Sequence, residues 1–342
     1  MPHLRLAPLV LLGALCVCVC AQHARAADAG WREITIPATG ADTRPTSVAL
    51  YYPSSSPAKV VPVGVFTLHV ALDGTPMPTV KGLIVISHGT GGSELGHTTL
   101  AEALAQAGYL VAALRHPGDN WQDRSLLQTS AERYFRERPQ QVTRVIDALL
   151  ADPQWRSRIA SDAGGPRIGA VGHSAGGYTV IALAGGEPDL ARLSRHCSTE
   201  RAEDPLFCAT GHFKSDPPGA EPVAAVPLVD PRVRAVVALA PVGVVFSEAS
   251  LARIHIPVAV YEAQSDRWLV PRFHAEWVAR NVPGAALHRV PNAWHFAFLN
   301  APGIPIGSPD GDLAADPAGF DRAGFLDQLA HELPAYFDRV WP

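Results

Sequence analysis

Short apolar runs alternate with amphipathic stretches through most of the chain. Runs such as 83–86 and 168–171 indicate strands that are buried on both faces of a sheet. Between such runs, segments such as 98–107 and 320–340 carry apolar residues at helical spacing. Strands separated by helices need crossover connections, which predicts a parallel sheet with helices on both faces. The strands predicted for this sheet are 83–86, 109–114, 168–171, 235–240, 257–262 and 286–290.

The N-terminal part of the chain has a different pattern. Apolar and polar residues alternate at 34–36 and at 48–50, on either side of a turn-rich stretch at 40–45. This pattern is typical of an antiparallel β-hairpin, and short β-like pieces are also expected between 63 and 72. The hairpin makes the predicted sheet mixed, mostly parallel with antiparallel strands at its N-terminal side.

The helical segments and the interruptions between them define the domain. An apolar stripe from 142 to 150 indicates a helix, and Pro139 is expected near its first turn, where a missing N–H costs little. Two segments interrupt the alternation, 187–233 and 301–319. Because no break in the pattern divides the chain into two separate hydrophobic cores, we expect one domain over 27–342, with 187–233 as an insertion.

The first 26 residues have the pattern of a secretory signal peptide. Arg5 and the initiator Met give a positive start, an apolar run covers 9–20, and residues 24–26 read Ala-Arg-Ala. That run would span about 18 Å of helix, less than the roughly 30 Å core of a bilayer, which disfavours a membrane anchor. A lipoprotein is disfavoured because Leu and Val, not small residues, precede the cysteines of the run. We therefore expect cleavage after Ala26 and export, to the periplasm or outside the cell.

Export affects the interpretation of the cysteines. Three of the five would leave with the signal peptide, and Cys197 and Cys208 would remain. An oxidising compartment favours a disulfide between them, with two free buried thiols as the alternative. His196 and His212 flank the pair, but a metal site needs more ligands than this stretch offers, so no metal is expected.

Charge and composition exclude several kinds of partner. The chain has 28 Lys and Arg against 32 Asp and Glu, a net charge of −4, and 47% hydrophobic residues. Because no basic run is present, we expect neither nucleic acid nor an anionic membrane surface as a partner. Because no second long apolar run follows the N-terminal one, we expect no integral membrane span.

The candidate chemistry begins where the strand at 168–171 ends. Residues 172–177 read Gly-His-Ser-Ala-Gly-Gly and lead into a helix, which is the G-x-S-x-G pattern in a strand–turn–helix context. A serine on so tight a turn needs nearly bare positions two residues away on either side. The helix N-terminus also favours negative charge there. Ser174 is therefore the candidate nucleophile, and the alternative is a glycine-rich turn that happens to contain a serine.

A serine hydroxyl needs a base, and the base needs an acid that orients it. His295 follows the strand at 286–290, and Asp266 follows the strand at 257–262. Loops that leave the carboxyl ends of parallel strands lie at the same edge of the sheet, where Ser174 also lies. We therefore expect His295 as the base and Asp266 as the acid.

Each of these assignments has a competitor. His173 adjoins the serine, but within the turn it cannot fold back onto Ser174. Asp230 precedes the strand at 235–240, so it falls on the opposite edge of the sheet. Asp266 itself could instead cap a helix that begins at Pro271, or be a surface charge.

The oxyanion of a tetrahedral intermediate needs two backbone N–H donors. Ala175, which follows the nucleophile, offers one. The other is expected from the small-residue loop 87–93, from the N–H of Thr90, with Gly91 as the alternative. Glycine loops also bind phosphate, but no Lys follows as a P-loop requires. His88 either supports this loop or only packs beside it.

These residues resemble the α/β-hydrolase superfamily over roughly 46–342. More narrowly, the chain is similar to the serine-nucleophile branch of dienelactone-hydrolase-like proteins, which includes the platelet-activating-factor acetylhydrolases. The narrower resemblance rests on the motifs at 51–53, 87–92, 115–120 and 172–177, with the late Asp266 and His295. True dienelactone hydrolases carry a cysteine where this chain has Ser174. In many relatives the position of 187–233 holds a cap over the pocket, here clamped by Cys197 and Cys208.

The resemblance implies an α/β-hydrolase fold and a serine esterase that hydrolyses a small-molecule or lipid-like carboxylic ester without a metal or organic cofactor. Two other functions stay open: a peptidase or amidase on the same fold, and an inactive hydrolase-fold binding protein. Trp121, Trp268 and Trp294 are candidates to line an apolar acyl pocket, and packing at its rim is the alternative.

Overall fold

The structure is a computed structural model that describes residues 27–38, 44–210, 213–220, 226–309 and 311–342. The predicted signal peptide, 1–26, and His212 lie outside these residues. Among the helices of the described ranges, none is long and apolar enough to cross a membrane.

The described residues contain one large sheet and two small strand pairs. The large sheet has ten strands in the order β12-β11-β10-β9-β5-β6-β2-β1-β4-β3, while β7 pairs with β8 and β13 with β14. The strands are β1 Asp28–Ile36, β2 Thr46–Ser54, β3 Lys59–Val63, β4 Phe66–Leu72, β5 Leu83–Ser87, β6 Leu110–Leu114, β7 Ser161–Asp162, β8 Gly165–Pro166, β9 Ile168–His173, β10 Val233–Leu239, β11 Val258–Ala263, β12 Ala286–Val290, β13 Gly307–Ser308 and β14 Gly311–Asp312.

Helices fill the connections between the strands. They are α1 Thr98–Gln106, α2 Ala131–Ala151, α3 Pro153–Arg156, α4 Ala175–Leu183, α5 Leu190–Thr199, α6 Pro205–Thr210, α7 Glu248–Leu251, α8 Ala275–Asn281 and α9 Arg322–Val340. Short 3₁₀ turns lie at Ser125–Gln128, Pro271–Phe273 and His295–Phe298.

The predicted mostly parallel sheet is confirmed. The strands β6, β5, β9, β10, β11 and β12 are parallel to one another and correspond to the six that the apolar runs predict. The N-terminal hairpin, β1 and β2, joins this set through an antiparallel pairing of β2 with β6. Gly172 lies opposite Ser87 of β5, and His173 lies opposite Leu239 of β10. The carboxyl ends of β5, β9 and β10 therefore meet at one edge.

The core forms two layers, one on each face of the sheet. Leu83 and Val85 belong to a buried cluster that also contains the apolar faces of α2, α4 and α8. Ile84 and Ile86, which alternate with them, belong to the cluster beneath α1 and α9. Continuous apolar runs in the sequence thus arise because each central strand contributes side chains to both layers.

The expectation for Pro139 is wrong. Helix α2 begins eight residues earlier, where the Ser130 side chain accepts a hydrogen bond from the N–H of Arg133 at 3.2 Å. Pro139 lies in the helix interior and is buried. Because proline has no N–H, it leaves the carbonyl of Phe135 without its helical donor. The hydroxyl of Tyr178 donates to that carbonyl at 2.8 Å, which explains why the helix continues through the proline.

The described part of the expected insertion, 187–233, lies near Ser174, because its Leu190, Leu193 and Phe207 line the same cavity as that serine. It contains α5 and α6, which the predicted Cys197–Cys208 disulfide joins with Cα atoms 5.3 Å apart. At the far end of the sheet, β3 is an edge strand, and its Val60 is 70% exposed.

The packing of α9 on the sheet predicts a large cost for removing one ring. Phe337 is fully buried against Tyr109, Trp341 and the bare Cα of Gly169. We expect Phe337→Ala to lower the free energy of unfolding by about 3–5 kcal/mol. Urea denaturation measures this, with the exposed Val60→Ala as a control that changes it by less than about 0.5 kcal/mol. A loss below about 1 kcal/mol for Phe337→Ala would contradict this packing.

Candidate active site

Ser174 lies on a strained turn between β9 and α4. Its φ is 58° and its ψ is −118°, a conformation that non-glycine residues rarely adopt. Its N–H donates to Leu239 O, and its carbonyl accepts from Val242 N, both at 3.0 Å, so the neighbouring strand holds the turn in place.

The two glycines around the serine are required by close backbone contacts. A Cβ on Gly172 would lie 2.0 Å from the carbonyl oxygen of Gly176, and a Cβ on Gly176 would lie 1.9 Å from that of Ser87. No side chain fits either position without moving a strand. The turn therefore presses α4 against the end of β5, which is where the candidate oxyanion loop begins.

The structure brings Ser174, His295 and Asp266 together. His295 Nε2 is 2.9 Å from Ser174 Oγ, and His295 Nδ1 is 2.7 Å from Asp266 Oδ2. All three side chains are buried. Asp266 lies in the loop after β11 and His295 in the loop after β12, where the sequence places these two candidates. This geometry allows a proton to pass from the serine hydroxyl to the imidazole while the carboxylate stabilises the resulting charge.

Asp266 is oriented by its own loop. Its second oxygen, Oδ1, accepts hydrogen bonds from the N–H groups of Trp268 and Leu269, both at 2.8 Å. Asp266 therefore does not cap a helix that begins at Pro271. One carboxylate oxygen closes the turn that precedes the 3₁₀ segment, and the other accepts the hydrogen bond from His295.

The two competitors lie elsewhere. His173 Nε2 is 2.9 Å from the carbonyl oxygen of His295, so it supports the histidine's backbone rather than the serine. Burial lowers the pKa of His173 well below its usual value, which keeps it neutral. Asp230 lies at the start of β10, on the opposite edge, where Arg232 binds it at 2.7 Å.

The candidate oxyanion loop, 87–93, lies directly beside Ser174. A Cβ on Gly89 would be 3.0 Å from the Cβ of Ser174. The N–H of Gly91, the alternative donor, is engaged with Asp119 Oδ1 at 2.8 Å. By contrast, no acceptor among the described residues pairs with the N–H of Thr90 or of Ala175. These two N–H groups are thus free for a substrate oxygen.

The overall structure is similar to solved hydrolase structures. A ferulic acid esterase from Streptomyces cinnamoneus matches with a TM-score of 0.60 at 20% sequence identity, over 94% of this chain and 92% of that chain. The chain has the α/β-hydrolase fold. A dienelactone hydrolase from Anabaena variabilis gives a TM-score of 0.47 at 14% identity, over 91% of this chain and 98% of its own. No protein-family model and no curated protein matches the sequence.

A large cavity opens above Ser174. It has a volume of about 1140 Å³ and a mostly apolar lining. Trp121 and Trp268 line it, as the sequence suggests, and the Trp268 ring lies nearly parallel to that of His295. Trp294 instead packs under the guanidinium of Arg267, at 4.1 Å. The insertion forms one wall, through Leu190, Leu193, Cys197, Phe207 and Cys208.

A buried cluster outside the cavity has the residue types of a metal site. His196 and Asp204 of the insertion meet His274 of the body, and both imidazole Nε2 atoms lie within 2.9 Å of Asp204 Oδ2. The Gly243 N–H donates to His274 Nδ1, so the proton of that ring is on Nε2, where a metal would need a lone pair. Burial opposes ionisation of Asp204, but the two histidine hydrogen bonds outweigh it and hold its pKa at about 2. These three side chains therefore form a hydrogen-bonded contact between the segment 187–233 and the rest of the domain, rather than a metal site.

Sequence reasoning missed the polar network beneath the oxyanion loop. Arg138 and Asp119 form an ion pair with both side chains fully buried. One signal was present in the sequence: Arg138 falls on the apolar face of α2, between Phe135 and Val142 at helical spacing. A charged residue on a buried face requires a buried partner. His88, which could have been mere packing, belongs to this network.

The strained backbone at Ser174 predicts that glycine stabilises the protein at this position, whereas glycine normally destabilises a helix or strand. Glycine removes the cost of the strained backbone conformation, about 1–3 kcal/mol, but adds an entropic cost of folding of about 0.5–1 kcal/mol. We expect Ser174→Gly to unfold with a free energy about 1 kcal/mol higher than Ser174→Ala, measured in urea. Ala182→Gly, inside α4, is the control and should be destabilising. Equal stability of the two Ser174 variants would contradict the strain.

The buried histidines predict a pH-dependent stability. Burial lowers the pKa of His97 to about 4, whereas its ordinary value is near 6.5. Between these two pH values, the unfolded chain binds a proton at His97 that the folded chain does not bind. Stability therefore falls as pH decreases through this window. We expect His97→Gln to flatten the slope of unfolding free energy between pH 6 and 5 by about 1 kcal/mol per unit. The exposed His331→Gln serves as the control, and an unchanged slope in His97→Gln would refute the assignment.

Proposed function

We propose that the protein is a serine hydrolase that cleaves carboxylic esters through an acyl-enzyme intermediate. The observation that carries the proposal is the hydrogen-bonded series Asp266–His295–Ser174, whose serine faces a cavity beside two unpaired backbone N–H groups. The side chains proposed as nucleophile, base and acid lie within hydrogen-bond distance of one another, beside the proposed N–H donors, which supports a working enzyme over a binding protein on the same fold.

The reaction follows from these positions. Ser174 Oγ attacks the ester carbonyl carbon while His295 Nε2 takes its proton, and Asp266 stabilises the imidazolium. The carbonyl oxygen, now an anion, accepts from the N–H groups of Thr90 and Ala175. His295 then returns the proton to the departing alkoxide, which leaves as the alcohol. A water molecule repeats the sequence on the acyl-enzyme and releases the acid. These steps need no metal or organic cofactor.

The cavity favours esters with a sizeable apolar part, small-molecule or lipid-like. A volume of about 1140 Å³ lies at the upper end of ordinary ligand pockets, and its lining is mostly apolar. Because the similar structure from Streptomyces cinnamoneus is named a ferulic acid esterase, esters of aromatic acids such as ferulic acid are included among the candidates.

We further propose that the protein is exported, to the periplasm or outside the cell. Two features support this: the N-terminal pattern of residues 1–26 and the disulfide between Cys197 and Cys208. Disulfides persist in oxidising compartments and are rare in the cytosol.

Hydrolysis of a p-nitrophenyl ester series, from acetate to palmitate, tests the proposal, with methyl ferulate and a p-nitroanilide alongside. We expect ester cleavage, which Ser174→Ala reduces at least about 10,000-fold. Ser54→Ala, a buried serine at the far end of β2, is the matched control and should retain full activity. The anilide separates an amidase from an esterase.

Labelling with a fluorophosphonate gives an independent result, because the probe reacts only with an activated serine. We expect labelling of wild type and of Ser54→Ala but not of Ser174→Ala. Folded wild-type protein that hydrolyses no ester and takes no label would overturn the proposal in favour of an inactive scaffold.

A further inference from the structure

The unusual feature beneath the oxyanion loop is an ion pair with no access to solvent. Arg138 of α2 and Asp119, in the loop after β6, both have side chains that are 0% exposed, and Arg138 Nη1 donates to Asp119 Oδ2. Burying two charges is costly, and an apolar pair of similar volume is often as stable. Stability alone therefore does not account for the buried pair. Its other hydrogen bonds indicate what else the pair does.

The pair binds the oxyanion loop on both sides of Thr90. Arg138 Nη2 donates to the carbonyl oxygen of His88, and Asp119 Oδ1 accepts the N–H of Gly91 at 2.8 Å. Asp119 Oδ2 also accepts the hydroxyl of Tyr134 at 2.8 Å, and Thr90 Oγ1 in turn donates to that hydroxyl at 2.8 Å. Residues 88, 90 and 91 are thus all fixed from one buried charge centre.

The peptide that carries the Thr90 N–H is fixed in its orientation. Its carbonyl, that of Gly89, accepts the Nδ1–H of His88 at 2.7 Å and the N–H of Gly92 at 3.1 Å. His88 Nε2 accepts the N–H of His116, which fixes the proton on Nδ1. Burial, aided by Arg138, lowers the pKa of His88 to about 3 and keeps this tautomer neutral. A flip of the peptide would break both bonds and turn the Thr90 N–H away from the site.

The same guanidinium is also connected, through Thr179, to the first turn of α4. Arg138 Nε donates to Thr179 Oγ1 at 3.2 Å, and Thr179 Oγ1 donates to the carbonyl oxygen of Ala175 at 2.9 Å. Arg138 is therefore bound both to the loop that carries the Thr90 N–H and to the first turn of α4, which carries the Ala175 N–H. A planar fork with five N–H donors can make these contacts at once, and a lysine cannot.

We propose that Arg138 and Asp119 are positioning residues of the oxyanion hole, which set the separation and direction of the Thr90 and Ala175 N–H groups. The inference rests on the proposed function, because it concerns the transition state of that reaction. Neither residue needs to touch the substrate. Their effect comes from preorganisation, since donors that are already aimed at the developing charge need not reorganise during the reaction.

The test replaces the pair by apolar residues. Asp119→Leu combined with Arg138→Met removes both charges together, which buried pairs tolerate far better than loss of one partner. We expect kcat to fall about 10- to 100-fold with little change in KM, less than the roughly 10²–10³-fold loss for a whole oxyanion donor. Tyr134→Phe keeps the ion pair but removes the hydroxyl that connects Asp119 to Thr90, and it should give a smaller decrease in kcat.

A transition-state analogue separates positioning from general damage. A boronic acid forms a tetrahedral anionic adduct on Ser174, whereas a matched ether binds the cavity without an oxyanion. In the double variant, boronate affinity should weaken by the same factor as kcat/KM, and ether affinity should stay within about twofold. Asp230→Asn, a buried carboxylate paired with Arg232 at the opposite edge, is the control that should keep wild-type kcat.

The outcomes are distinguishable. A folded double variant with wild-type kcat and boronate affinity would overturn the inference, and so would equal weakening of boronate and ether, which indicates a merely distorted cavity. If the double variant does not fold, Tyr134→Phe decides by the same comparison of boronate with ether. If wild type hydrolyses no ester, the proposed function fails, while boronate binding still shows whether the pair positions the two N–H groups.

Discussion

The close approach of three backbone segments at Ser174 is the constraint on which the site depends. Gly172, Gly176 and the carbonyl of Ser87 lie so near one another that a single Cβ on either glycine would collide with backbone. Because α4 is pressed against β5, the loop that continues from β5 lies close to Ser174. The placement of the loop 87–93 beside Ser174 therefore follows from backbone packing, and the contacts of Arg138 and Asp119 hold residues 88 and 91 within that arrangement.

Much of the fold could be predicted from the sequence because the central strands contribute to two cores at once. This makes them continuous apolar runs, which are easily recognised. The approach of Ser174, Asp266 and His295 could be predicted for a related reason: parallel strands end at one edge, so residues just after them converge. Periodicity and strand direction are local properties, and a single sequence displays them.

Contacts between particular side chains could not be predicted in this way. Arg138 meets Asp119 across 19 residues, and no periodic pattern pairs them. Pro139 was misplaced for the same reason, because the hydroxyl that satisfies the freed carbonyl of Phe135 comes from Tyr178, in another helix. In both places a local rule was broken, and the compensation came from an element distant in sequence.

The edge strand β3, at the far end of the sheet, bears on whether molecules of this protein associate through their sheets. Among the residues that the structure describes, strand β3 ends the sheet and no strand pairs with its outer side, which would offer a template to an extended segment of another molecule. It has only five residues, begins with Lys59, and contains Pro62, which has no N–H to donate. A second strand that docks there would meet a charge at one end and a missing donor near the other. The protein therefore resists polymerisation through this edge, even though Val60 leaves an apolar side chain in water.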